Sequence, residues 1–154
     1  MPKLSKEDNA ILKDLLEDIK TDMISQQNAL GIRASGASAD SLQVSDSSKG
    51  PTLTGAHYWA FLFDDTGRGP GGFPPIDLIK DWIFDKGLSI SGTIEQAAFL
   101  IGRKIADEGT GIYQGKPGVK IQEIITEHLI AASGRIARRK VRKILEPFRK
   151  NKTL

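Results

Sequence analysis

The sequence contains no cysteine, which removes disulfides, thiolate metal sites and thiol nucleophiles together. Histidine is almost as scarce. His57 and His128 are the only two, and neither stands in a metal-ligand spacing such as HExxH. No apolar run approaches the ~20 residues of a membrane span. The opening MPKLSKEDNAIL lacks the long apolar core of a secretory signal, so synthesis and folding in a cytoplasm are expected. There is no GxSxG elbow and no other nucleophile with a visible base, and no internal repeat. These absences leave little for an enzyme to work with; a small hydrolase stays as a third reading only.

Acidic residues are nearly missing from one end. Residues 135–154 carry nine Lys/Arg and a single Glu, a local charge of +8, while the rest of the chain carries −5. The basic character therefore belongs to the tail, and it points to an anionic partner, either nucleic acid or an acidic protein surface. Aromatic residues for stacking single strands are scarce there, with only Phe148 available.

What the chain does have is concentrated. At 154 residues it fits one domain, long enough to bury ~70% of its unfolded surface. Seven of its ten aromatic residues fall between positions 58 and 84, and large aromatic side chains dominate core energetics. The organising stretch is Gly67–Gly87, GRGPGGFPPIDLIKDWIFDKG, which follows the most apolar run, AHYWAFLFDD.

Taken in order, Ser5 and Asp8 suit a helix N-terminus. Ile11, Leu15, Ile19 and Met23 form an apolar stripe at helical spacing that ends near Gly31. The Ser/Gly-rich segment to Gly55 has a strand signal at Ser41–Ser45, then reads as a mobile loop or hairpin tip whose composition suits ordering on binding. Residues 56–63, apolar on both alternating faces, predict a central strand with His57 packed on it. Pro74 and Pro75 open a helix that Gly87 closes. Its Trp82 is expected in the core. Thr93 and Gln96 form a capping box before a stripe of Ile94, Ala97, Ala98, Ile101 and Ile105, and Gly109 ends that helix. From Val119 the chain is helical again, with Ile121, Ile124, Ile125, Leu129 and Ala132 on one face and a candidate kink at Ser133–Gly134. The basic amphipathic continuation, with Ile136, Val141, Ile144 and Leu145, ends at or shortly after Pro147. Its apolar face needs a surface to cover it.

Two glycine-rich loops invite a phosphate-site reading, and both depart from the pattern. GRGPGG is not followed by Lys-Ser/Thr, and its proline removes a backbone donor. In GTGIYQGKPG, Thr110 stands in place of the first glycine and Pro117 in place of the magnesium-binding hydroxyl. Asp64–Asp65 reads as a solvated turn at a strand end, with the two carboxylates on opposite sides.

The order of RASGASADSL, YWAFLFDDTGRGPGG, FPPIDLIKDWI and AAFLIGRKIADEGTG, after the leading helix, resembles the neck, or tail-completion, proteins of long-tailed bacteriophages. The matching pieces cover about half the chain. The resemblance implies an α+β fold, a small antiparallel sheet packed against helices, in a neck-protein-like domain over residues 1–134. The extension 135–154 lies outside the family pattern. It further implies a structural virion protein of the head–tail connector, with no catalysis and no cofactor or metal. Its partners would be copies of itself in a cyclic ring, neighbouring head-closure, portal or tail proteins, and DNA passing through the ring, with no membrane. Assembly would take place in the bacterial host cytoplasm. The alternative is a small nucleic-acid-binding protein using the basic helix.

Two sets of site residues follow as expectations. Gly67, Arg68, Gly69, Pro70, Gly71, Gly72 and Phe73 should form either a rigid loop projecting from the sheet toward a neighbouring subunit, with Arg68 supplying several donors, or an ordinary strand-to-helix connection. Arg135, Arg138, Arg139, Lys140, Arg142 and Lys143 should contact nucleic acid or an acidic partner.

Overall fold

Lys6–Ala29 form a long first helix, α1, whose apolar residues recur every fourth position. Leu15, Ile19 and Met23 are buried, and Gln27 takes the next step of that series. Gly31, in the left-handed region at φ 65°, ends it with paired bonds: Gly31 N to Asn28 O at 3.0 Å and Ile32 N to Gln27 O at 3.2 Å. The computed structural model describes residues 5–64 and 66–150, with side chains up to Glu146. Asp65, the Phe148 side chain and residues 151–154 of the basic extension therefore lie outside the described residues.

The remaining elements are α2 (Ala37–Asp40), β1 (Gln43–Ser47), β2 (Gly50–Thr54), a 3-10 helix (His57–Phe61), α3 (Ile76–Asp85), α4 (Ile94–Glu108) and α5 (Ile121–Lys150). β1 and β2 pair as a two-stranded antiparallel hairpin, so the fold is α+β and dominated by helix. The segment read as a mobile loop or hairpin tip is thus a formed hairpin. Its turn is held by Ser47, whose hydroxyl donates to Gly50 O at 2.7 Å and accepts from Lys49 N at 3.2 Å.

The expected central strand at 56–63 is not there. His57–Phe61 is a 3-10 helix, and only Phe63 makes a strand-like contact, a single parallel bridge to Val119. A short apolar run satisfies a three-residue period as well as a two-residue one. Here Trp59 is buried while Phe61 is exposed, and the Trp59 indole N–H donates to Ser38 O at 2.8 Å. His57 is exposed on this helix, edge-on to Tyr58, and not packed in a sheet.

The chain resolves into two units. One gathers the residues up to Asp22, the hairpin from Val44 to Thr54, and the chain from Gln122 onward. Within it α1 and α5 run antiparallel, as the order of their ion pairs shows: Asp22 with His128 (2.7 Å), Asp18 with Arg135 (4.0 Å) and Asp8 with Arg139 (3.1 Å). Lys13 ties α1 to Asp46 of the hairpin at 3.1 Å. Leu15, Ile19, Ile124 and Ala132 are buried, whereas Leu129, expected on the buried face, is exposed. α5 is one continuous helix through Ser133 and Gly134.

The other unit gathers Met23–Gln43 and Gly55–Ile121. Its helix pair packs Ile79 and Ile83 of α3 on Ala98 of α4, flanked by Ile94, Ala97 and Ile101. The Thr93–Gln96 capping box is formed in both directions. Gly87, at φ 60°, closes α3 with the same pair of bonds that closes α1. Trp82 is not in this core. Ile79 and Ile83 hold the buried stripe of a ten-residue helix, and position 82 falls a quarter-turn outside it, leaving the indole 39% exposed.

Candidate assembly interface

The loop Gly67–Phe73 was expected to project from the sheet. Its backbone instead bonds to the last turn of α4 and the loop that follows it. Thr110 donates through its backbone N–H (2.8 Å) and hydroxyl (3.3 Å) to Arg68 O, and Gly71 N donates to Ala106 O at 2.9 Å. The junction continues beside it, with Val119 N on Leu62 O (2.8 Å), Asp64 N on Val119 O (3.0 Å) and Gly118 N on the Asp64 carboxylate (2.9 Å). Asp64 is therefore a bracket between two loops and not a solvated turn residue.

This junction explains glycines that resembled a phosphate cradle. A Cβ on Gly67 would run into the Tyr113 backbone nitrogen, and one on Gly118 would lie 2.6 Å from the Phe63 carbonyl. Gly109 is at φ 81° with the Arg68 carbonyl 2.8 Å from where a Cβ would sit. The two glycine loops are the two halves of one close backbone approach.

The rest of the predicted loop is open. Pro70, Gly71 and Gly72 are exposed, and a Cβ at Gly71 or Gly72 would touch nothing. The Arg68 guanidinium turns back and donates to Gly72 O within its own loop. Phe73 stacks on Phe99 of α4 with centroids 5.6 Å apart and covers Gly102, yet stays about half exposed.

The cations of α5 divide along the helix. Arg139 lies between Glu7 (3.0 Å), Asp8 (3.1 Å) and the Ser5 hydroxyl (3.1 Å). Arg135 reaches Asp18, and Arg138 donates to Gly134 O of its own helix at 3.2 Å. Part of the acidic partner sought for the basic segment is thus α1 of the same chain. Beyond this point Lys140, Arg142 and Lys143 are exposed and make no ion pair with another described residue. Val141, Ile144 and Leu145 are exposed among them.

The acidity of the Asp8 carboxylate is moved by its surroundings. The Ser5 hydroxyl donates to it at 2.8 Å, and this bond, with the charges of Arg139 and Lys140, holds it below its ordinary value against the opposing effect of burial. The isolated His128 of the sequence pairs with Asp22, so its role is a strut between α1 and α5.

Residue-by-residue reading missed the outer side of α3. Leu78 (66% exposed), Trp82 and Phe84 (81%) stand there with Asp81 and Asp85, and they line a shallow hollow with Ala34 and Ser35. The available signal was the helical phase: once Ile79 and Ile83 point inward, Leu78, Asp81 and Asp85 must point out. Among the described residues no group of three or more His, Asp or Glu side chains is arranged to hold a metal, and no helix is long and apolar enough to cross a membrane. Comparisons with protein families, curated proteins and solved structures returned no match.

Proposed function

We propose that this chain is a structural virion protein, a ring-forming subunit of the neck or tail-completion part of the head–tail connector of a tailed bacteriophage. The observation that carries the reading is the amount of large apolar surface that one chain leaves uncovered. Leu78 and Phe84 on α3, Leu100 on α4, and Ile130 and Ile144 on α5 are all well over half exposed. Scattered single apolar residues need no explanation, but groups of them on helix faces mark surfaces that other proteins cover. A cyclic assembly covers such faces by using one interface repeatedly. The phage-neck resemblance of the motif order supplies the kind of assembly: copies of this chain in a ring, portal or head-closure proteins on one side, tail proteins on the other, and DNA passing through.

The test is deletion of the gene from its parent genome, followed by electron microscopy of the lysate. Filled heads and finished tails that fail to join, and that join when the purified protein is added, are the expected result. Normal particles from the deletion would end the proposal.

One observation favours a second reading, a stand-alone nucleic-acid-binding protein: the exposed Lys140, Arg142 and Lys143 of α5. Under it, DNA affinity of the monomer falls with salt at a log–log slope of about −0.9 per phosphate neutralised. Removing residues 140–154 then abolishes the slope, while Arg135→Ala barely changes it.

A further inference from the structure

α3 and the stretch Lys140–Leu145 of α5 carry complementary surfaces. On α3, Asp81 and Asp85 lie opposite the buried Ile79 and Ile83, and Leu78 and Trp82 line the same shallow hollow beside them. Asp77, Asp81 and Asp85 form an acidic column at four-residue spacing, an arrangement that like-charge repulsion disfavours on an isolated helix. Asp85 stands in the last turn, where the helix dipole also opposes a negative charge. Asp77 has Lys80 at 3.4 Å, but neither Asp81 nor Asp85 has an ion pair with a described residue. On α5, Val141, Ile144 and Leu145 are exposed between Lys140, Arg142 and Lys143. One surface is apolar and acidic, the other apolar and basic, and the described residues leave both exposed.

We infer that the stretch Lys140–Leu145 of one copy docks on the outer face of α3 of the next copy, head to tail. The inference rests on the ring assembly of the proposed function and names its contact. A duplex would neutralise the cations but leave both apolar faces in water, whereas a second copy of this chain covers both at once. Because the two patches differ, the contact is heterologous: it closes into a ring if the rotation allows and continues as a filament if it does not. Opposite charges across it set the register and speed the encounter.

The experiment is sedimentation of the full chain at low and high salt, with two charge-reversal variants, D81K/D85K and K140E/R142E/K143E. All five positions are exposed, and circular dichroism checks that both variants remain folded. The parent is expected to self-associate, more weakly at high salt, and each variant alone to lose association by about tenfold or more. Mixing the two restores it, because the intact basic stretch of one meets the intact α3 of the other. Association that survives both reversals overturns this contact and leaves the ring reading standing. A variant pair that fails to associate on mixing also overturns the contact. A parent that stays monomeric at low salt and about 100 µM, a concentration that detects even weak specific contacts, overturns the contact and self-assembly of the free chain together.

Discussion

Two regions stand out in the sequence as places to meet a partner, the glycine loop after residue 66 and the basic segment after residue 134, and the fold treats them in opposite ways. The glycine loop is largely occupied by its own chain. Arg68 O and the Gly67 Cα face the loop after α4 and Gly71 N bonds Ala106 O within α4, leaving the outer sides of Pro70, Gly71, Gly72 and Phe73 open. The basic segment is engaged in its first turns, where Arg135 and Arg139 answer the acids of α1, while Lys140, Arg142 and Lys143 are exposed. A glycine-rich loop and a cationic helix look alike as binding candidates because both are unusual. The physical difference is that a glycine without a side chain is useful where backbones touch, inside one chain as well as between chains. A cation beside an exposed apolar stripe suits a surface brought to it from outside its own helix.

The strongest way to test this contrast uses the two tryptophans. Trp59 is buried, with its N–H bonded to Ser38 O and its ring 6.2 Å from Phe63. Trp59→Ala should lower unfolding free energy by about 3–5 kcal/mol. Trp82→Ala, on the outer face of α3, should cost about 1 kcal/mol or less and be felt instead in self-association. Urea denaturation of both variants decides it; equal losses would mean that the α3 face is core after all.

Much of this was legible before any coordinates. Signals that act within one helix survived: the stripe Leu15–Ile19–Met23, the closures at Gly31 and Gly87, and the Thr93 capping box all depend on neighbours three to five residues away. Signals that depend on a distant partner did not. The 56–63 run has the composition of a strand, but strand identity requires a second strand to bond with, and Val119 offers only one bridge. Trp82 looked like core because aromatic residues usually are, yet a ten-residue helix with two buried isoleucines has only one inward side. The Arg139 pairing with Glu7 and Asp8 joins residues more than a hundred positions apart, beyond the reach of local pattern.

A second contrast lies inside the glycine loop itself. Gly67→Ala places a methyl against the Tyr113 backbone and should cost about 2 kcal/mol or more, since backbone cannot give way as a flexible side chain does. Gly72→Ala meets nothing within 4 Å and should stay within about 0.5 kcal/mol. Thermal melts of the pair measure the difference. If both are neutral, the locked half of the loop is as free as the open half.

Arg68 belongs to the locked half by its backbone and to the open half by its side chain. Its guanidinium bonds to Gly72 O, so Arg68→Ala should lower stability by about 1 kcal/mol, where a purely outward-facing arginine would leave the midpoint unchanged. Under the proposed connector role, heads and tails that still fail to join below the lowered midpoint, with the variant folded, would show that the side chain also serves a contact between subunits. Joining restored on cooling would assign it to the loop alone.

The smallest expected effect concerns the occupied part of the basic segment, and it is a matter of pH. Asp8 is held below its ordinary value of 3.8, first by the Ser5 hydroxyl and then by the Arg139 and Lys140 charges. A carboxylate with a depressed value in the folded state binds its proton more readily in the unfolded chain. Its contribution is therefore complete above about pH 4 and is lost as the pH falls through the folded value. Asp8→Asn removes that dependence, so melting temperatures of parent and variant should differ at neutral pH and converge on acidification. Arg139→Met leaves the Ser5 bond in place and should remove only part of the dependence. Parallel curves for parent and Asp8→Asn down to pH 2 would show that the α1–α5 pairing adds nothing at this carboxylate. The charges of the first turns of the segment would then be as available to a partner as those beyond Lys140.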